Sequence, residues 1–329
     1  MKSAVVPRRP EGPDADLLAS AALSLQRLLA LQESPTWSVL RRDDRPRSTI
    51  FLLEAAHGVG STRAYHKAAL VPGDATDDPR FERRRSKERG SLVFEDRIAG
   101  RLFEVLSSEG VGFDLPLAID VEGLSAIRLE VPGREIGRAF SRMIPGRRNQ
   151  ALALYEAVGR AIRLAEGQTR LLGPSFDADT LDGRLQAELE QARRGMPESL
   201  NRPVTAMASE LRSAIDIETA AVWGHGDLSS TNILVDAGRI GLIDWSWRPS
   251  LAGESVAYFI ARLGAEPRTT AGWKSSLTDA VLRGYGADSE GSWQLAYLLR
   301  LLRWANKSST VRRAWSHQEL ARVVAPASR

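Results

Sequence analysis

The segment His225-Gly226-Asp227-Leu228-Ser229-Ser230-Thr231-Asn232 and the residues after it concentrate the chemistry of this chain. Ile233-Leu234-Val235 and Ile240-Gly241-Leu242-Ile243 are apolar runs on either side of Asp236-Ala237-Gly238-Arg239. Such runs about a short turn form a tight hairpin whose two ends lie together. Asn232 sits just before the hairpin and Asp244 just after it, so their side chains converge. Asp227 lies five positions before Asn232 in the same loop. Two carboxylates and an amide are hard oxygen donors, a set that suits Mg²⁺ completed by water and phosphate oxygens. Phosphoryl transfer uses such an ion to neutralise the β- and γ-phosphates, and a carboxylate to take the proton of the attacking hydroxyl. The spacings, five from Asp227 to Asn232 and twelve from Asn232 to Asp244, fit that scheme. A single Asp at a hairpin end would read as a turn former or cap.

His225-Gly-Asp-Leu-Ser-Ser-Thr-Asn-Ile-Leu-Val-Asp236, followed by Gly241-Leu-Ile-Asp-Trp245, resembles the aminoglycoside phosphotransferase and choline kinase-like family. These are small-molecule kinases with a protein kinase-like fold. The resemblance implies Asp227 as catalytic base, Asn232 and Asp244 as Mg²⁺ ligands, and His225 as the brace of the catalytic loop. It implies ATP or GTP as co-substrate. It also implies a lysine for the α- and β-phosphates on the third strand of the small lobe. Lys67, in Arg63-Ala-Tyr-His-Lys-Ala-Ala-Leu-Val71, stands there, with Glu95 as its expected helix partner and Glu104 as a fallback. The nucleotide base is expected against Leu129-Glu130-Val131. Ser48, which opens the second strand, joins Lys67, Glu95, Glu130 and Val131 as an expected nucleotide contact.

The chain departs from the family pattern in places. No glycine-rich loop stands between the first two strands; Arg41–Arg47 occupies that place, and Gly58 and Gly60 fall at the next hairpin. Ser229 stands where protein kinases carry a lysine, which argues against a protein kinase. Past Asp244, where the family often shows Asp-Leu-Ala, Gly253-Glu-Ser-Val-Ala257 offers only Glu254. These departures keep a catalytically silent pseudokinase as an alternative. Trp245 and Trp247 could line a substrate pocket, but tryptophans near a core boundary are more often packing.

Several elements must position these groups. An amphipathic helix is expected over Leu17–Gln32, and strands over Thr36–Leu40, Ser48–Ala55 and Arg63–Val71. A charged linker, Pro72–Gly90, leads to a helix over Ser91–Glu109 with apolar residues at 94, 98, 102, 105 and 106. Strands Leu115–Asp120 and Ala126–Val131 complete a β-β-β-α-β-β order. Helices follow at Asn149–Glu166, Thr180–Arg194 and Ser199–Ile215, then the β-rich island Ala221–Trp247, then helices at Glu254–Leu263, Thr278–Tyr285 and Trp293–Asn306. The expected fold is α+β and two-lobed: a proline- and charge-rich tail with the first helix (1–35), a small β-rich lobe (36–131) and a larger helical lobe (132–329), with the nucleotide in the cleft.

Composition bounds the rest. The chain has 329 residues, 43% apolar and 26% charged, enough for a sizeable core. It has no Cys, which excludes disulfides, thiolate metal sites and a Cys nucleophile. The 45 Lys and Arg nearly balance 41 Asp and Glu, for a net charge of +4, so no nucleic-acid partner is called for. No signal peptide or membrane span is visible, so a cytoplasmic protein without membrane or obligatory protein partners is expected. Only five of the basic residues are lysines, which singles out Lys67 as a compact ammonium in an arginine-rich chain. From Trp293 to Arg329 the basic residues outnumber a single acid, Glu319, so the small-molecule hydroxyl acceptor is expected to be neutral or anionic. The acidic set Asp177, Asp179, Asp182, Glu188 and Glu190 speaks for the alternative, an antibiotic-inactivating enzyme with a cationic acceptor.

Overall fold

The computed structural model describes residues 11–45, 48–70, 79–140, 145–266, 269–286, 292–305 and 310–325. Most of the expected proline-rich tail, along with Lys307 and Arg329, lies outside them. The chain divides into two units, one holding residues to Glu104 plus Gly112–Val131, the other Val105–Val111 and everything from Pro132.

The first unit begins with helix α1 (Ala15–Leu28), whose amide at Leu17 donates to the capping Asp14 side chain at 2.9 Å. Strands β1 (Thr36–Asp44), β2 (Ser48–His57) and β3 (Gly60–Ala69) form the meander. After helix α2 (Pro79–Ser108) come β4 (Gly112–Phe113), β5 (Pro116–Asp120) and β6 (Ser125–Leu129). The antiparallel sheet runs β1-β2-β3-β6-β5. Its period-two alternation gives each face a job. Phe51, Leu53, Ala55, Ala64 and Ile127 pack on Leu17, Ala21 and Leu25 of α1. The opposite face carries Ile50, Leu52, Tyr65, Lys67 and Arg128, since Tyr65 pairs with both Leu52 and Arg128, and Lys67 with Ile50 and Ala126.

Two expectations need correction here. First, β1 runs on through Arg41–Asp44, past a register shift between Val39 and Arg41, so the β1–β2 turn is short; Arg45 donates its amide to Ser48 O at 2.9 Å. Second, the charged stretch is not all linker, because α2 already starts at Pro79. Proline suits a first helical turn, and Arg84 and Glu88 stand four apart. Residues 72–78 of that expected linker, and Val71 of the expected third strand, lie outside the described set.

In the second unit a short strand β7 (Arg134–Glu135) and helix α3 (Ile136–Phe140) precede α4 (Arg148–Arg170), α5 (Ala178–Arg193), α6 (Glu198–Ser213) and α7 (Ile217–Ala220). The β-rich island follows as β8 (Ala221–Gly224), β9 (Ile233–Asp236), β10 (Arg239–Leu242) and β11 (Arg248–Leu251). β9 and β10 pair as the expected hairpin, Asp236 opposite Arg239; β7 extends it and β11 returns to β8. Helices α8 (Glu254–Gly264), α9 (Ala271–Tyr285), α10 (Ser292–Ala305) and α11 (Thr310–Val324) complete the unit. α9 begins earlier than its periodicity suggests, and α11, rich in charge, has no clear apolar stripe and escapes a pattern reading. α10 is buried nearly all round, the pattern of a central helix. Among the described residues no helix is long and apolar enough to cross a membrane.

Candidate active site

The loop before β9 is held by backbone bonds that its own side chains complete. Asn232 donates its side-chain amide to Asp227 O at 2.9 Å, and its backbone amide to Ser229 O at 2.9 Å. Ile243, beside Asp244, donates its amide to Asn232 O at 3.0 Å, while His225 Nε2 lies 3.0 Å from Ile243 O. A carbonyl only accepts, so that nitrogen carries the ring proton. Asp227, Asn232 and Asp244 are therefore tied to one another through two backbone steps. Asp244 has φ of 57°, a left-handed conformation uncommon for a non-glycine residue. Gly226 has φ of 77°, and a Cβ there would overlap the Ser246 carbonyl. Only glycine lets the two strands of backbone pass this closely, and Ser246 donates its amide to His225 O at 3.0 Å in return.

His225 is buried and stacks on Trp245 at 4.5 Å between centroids, and Trp245 on Trp247 at 4.5 Å. The two tryptophans are thus packing. The His225 amide donates to Ser255 Oγ at 3.0 Å. Loop support therefore comes in part from Ser255, one residue past Glu254. Burial pushes the His225 imidazole down to about 4, and does the same to His66, packed against Phe51 in the first unit. Both rings are lowered from 6.5, so the unfolded chain binds protons that the folded chain refuses as pH falls from 6.5 to 4. Stability is expected to fall through that window, by up to about 3 kcal/mol per histidine. Denaturant midpoints at pH 7, 5.5 and 4 test this, and His66→Phe should flatten the slope; an unchanged slope would count against it.

In the first unit Glu95 takes a different cation from the expected Lys67. Arg128 donates Nε to Glu95 Oε1 at 2.9 Å and a terminal nitrogen to Oε2 at 2.7 Å, and both residues are buried. Burial opposes the Arg128 charge, but Glu95 overrides it and holds the guanidinium above its ordinary range. Arginine wins because its planar fork matches both carboxylate oxygens. Lys67 lies half-buried on the same sheet face. Ser48 is buried at the foot of β2, opposite Ala69. Glu130 donates its amide to Arg63 O at 2.9 Å, and Val131 is buried at the end of the unit. Arg128 was missed, though a lone charge inside Ala126-Ile127-Arg128-Leu129 is itself a signal for a buried partner.

Tyr258 was missed as well. From α8 its hydroxyl donates to Asp227 Oδ1 at 2.9 Å and receives Arg262 at 3.1 Å, while the Arg300 guanidinium lies 4.3 Å from its ring centroid. Glu254, one turn earlier, takes two hydrogen bonds from Arg184, at 3.0 and 2.7 Å. Burial would raise its pKa, but Arg184, Arg248 and Arg300 override it and hold Glu254 at about 2. Three of the acids in and before α5 are engaged too, and Asp179 and Glu190 are exposed. Asp177 caps the helix, Asp182 receives Arg212 at 2.6 Å, and Glu188 receives Arg303 at 2.6 Å. Beside the loop lies a cavity of about 420 Å³, lined by Ser230, Phe140, Tyr155, Phe259, Arg262 and Trp304 among others.

A hairpin-borne loop of this build, in a helical unit that follows a five-stranded sheet and its helix, defines a kinase-type phosphotransferase fold. The chain belongs to the phosphotransferase enzyme family APH, whose model matches residues 80–246, and it is a small-molecule phosphotransferase. The α+β kinase-like fold read from the sequence is the one found. The chain is similar in structure to a glucosamine kinase solved with glucosamine, ADP and inorganic phosphate (15% identity, 88% of this chain and 82% of that one, TM-score 0.53). It is also similar to a putative fructosamine-3-kinase from Thermobifida fusca YX-ER1 (17%, 92% and 98%, 0.51) and to aminoglycoside phosphotransferase APH(4)-Ia (14%, 92% and 98%, 0.50). No curated protein sequence matches it.

Proposed function

We propose that this chain moves the γ-phosphate of ATP or GTP to a hydroxyl of a small molecule, with Asp227 as the base that takes the hydroxyl proton. The observation that carries this reading is the bonded set Asp227–Asn232–Ile243 with Asp244 adjoining it. Asn232 spends its NH₂ group on Asp227 O, which turns its amide oxygen to other use. One Asn and one Asp suit Mg²⁺, which keeps water and phosphate oxygens as its remaining ligands. Asn232 and Asp244 would hold that ion, which supplies charge neutralisation on the phosphates when bound. Lys67, Ser48, Glu130 and Val131 would serve the nucleotide from residues 36–131, with Glu95 acting on the sheet through Arg128. His225 braces the loop as a neutral ring.

The acceptor in this reading is neutral or anionic. A polycation needs free carboxylates, and Asp182, Glu188 and Glu254 are each matched to an arginine. The similar glucosamine kinase binds an amino sugar, which keeps an amine-bearing acceptor as the competing outcome. The test is a mass-spectrometric search for phosphate gained by metabolites incubated with the enzyme and ATP or GTP, with and without Mg²⁺ and against Asp227→Ala. Phosphate gain that survives in Asp227→Ala, or that needs no divalent ion, would sink the assignment.

A further inference from the structure

Three guanidinium groups surround Glu254. Arg184 hydrogen-bonds it, whereas Arg300 and Arg248 stay at 3.7 and 3.9 Å, beyond hydrogen-bond reach. Three positive charges against one negative leave a local excess of two. Arg303 does not change this, because it is matched by Glu188. Arg300 is only 7% exposed and donates no hydrogen bond among the described residues; Arg248 Nε is buried without a partner. A buried guanidinium with unmade hydrogen bonds is costly, and the usual remedy is an anion with several acceptor oxygens. Burial lowers both groups below the ordinary arginine range, Arg300 to about 10.

The cluster also lies beside the proposed base. Arg300 stacks on the Tyr258 ring, and the Tyr258 hydroxyl holds Asp227. The Arg248 side chain runs past Gly226, next to Asp227; a Cβ on that glycine would come within 3.4 Å of it. We infer that Arg248 and Arg300 form an anion site for a carboxylate or phosphate group of the acceptor, which places that acceptor's hydroxyl at Asp227. The acceptor class is then a hydroxy acid, sugar acid or phosphorylated polyol. Arg184 and Glu254 are the scaffold, with Glu254 holding the guanidinium groups close. This rests on the Asp227 reading for its placement beside the base, and on the charge cluster alone for anion binding.

The test separates the two. Sulfate is the probe, added to the full chain while thermal unfolding is followed. Saturable stabilisation is expected in the wild type and in Lys67→Met, with affinity weakened roughly tenfold or more in Arg248→Met. Arg248 is part-exposed, so this variant should fold; Arg300→Lys, which keeps the charge but loses the fork, is the second variant and should weaken sulfate as well. Absent binding in the wild type, or binding as tight as wild type in both variants, overturns the site. In a metabolite extract with Mg²⁺ and ATP, the compounds that gain phosphate are expected to be acids already before transfer, and sulfate should slow the reaction. A neutral or amine-bearing acceptor overturns the assignment of the site to the acceptor. Intact sulfate binding with no transfer to any component would overturn the phosphotransfer reading and the acceptor half of the inference, and would leave the anion site standing.

Discussion

Asp227→Asn is expected to lower kcat by roughly 10²–10⁴-fold, the usual contribution of a positioned base, while the KM for nucleotide changes less than about threefold. The substitution suits the site because it keeps size and shape. Asn232 bonds the Asp227 backbone carbonyl, not its carboxylate, so the loop keeps that tie. The Tyr258 hydroxyl, 2.9 Å from Oδ1, still finds an oxygen acceptor in an amide. What is lost is the negative oxygen that receives a proton. Tyr258→Phe is the companion: it removes one donor from Oδ1 and the group that Arg262 bonds. Its kcat should fall by about tenfold, the scale of one hydrogen bond to a charged group, because the carboxylate then swings. Steady-state kinetics on the acceptor found by mass spectrometry measure both. An Asp227→Asn enzyme within tenfold of wild type would show that Asp227 is not the base; a Tyr258→Phe enzyme at full rate would show that the carboxylate needs no such orientation.

The hairpin and loop were legible because their signals are local. Two short apolar runs, a four-residue turn and a five-residue Asp–Asn spacing are set by neighbours in sequence, and β9 and β10 pair as those signals require. Long-range choices were not legible. Glu95 has Lys67 and Arg128 on the same sheet face, and nothing in the local sequence says that Arg128 will take both oxygens. Ser255 and Glu254 are adjacent in sequence, yet one supports the His225 amide and the other gathers arginines, because consecutive helix residues face about 100° apart. The run 79–90 read as linker since its charge hides periodicity; the helix there keeps only one face toward the protein. Nothing in the local sequence shows that Asp182 and Glu188 will be matched to arginines 30 and 115 residues away.

Glu254→Ala should be the most destabilising single change near the site, by about 3–5 kcal/mol, since it leaves buried guanidinium groups without a counter-charge. The pKa gives a similar scale. Glu254 is held at about 2 against an ordinary 4.5, and each unit is worth about 1.4 kcal/mol, so the ionised carboxylate contributes roughly 3 kcal/mol. The sign follows from the depressed value: this stability is present in full above pH 4.5 and is lost as pH falls through about 2. Glu254→Gln separates charge from shape. It can still accept a bond from Arg184 but offers no charge to Arg248 or Arg300, so it should recover only part of the loss. The arginines also make the damage reversible from solution. If the excess of charge is what destabilises Glu254→Ala, sulfate should stabilise this variant more than the wild type, by an amount that grows as the logarithm of its concentration. Arg184→Met placed on Glu254→Ala should likewise restore stability by removing one of the unmatched charges, where two independent losses would add. Denaturant unfolding of wild type, Glu254→Ala, Glu254→Gln, Arg184→Met and the double variant, with and without sulfate, measures each term. Glu254→Ala within 1 kcal/mol of wild type, or a double variant as unstable as the sum of its parts, would mean that solvent screens the cluster, and that Arg248 and Arg300 have no unmet demand for an anion.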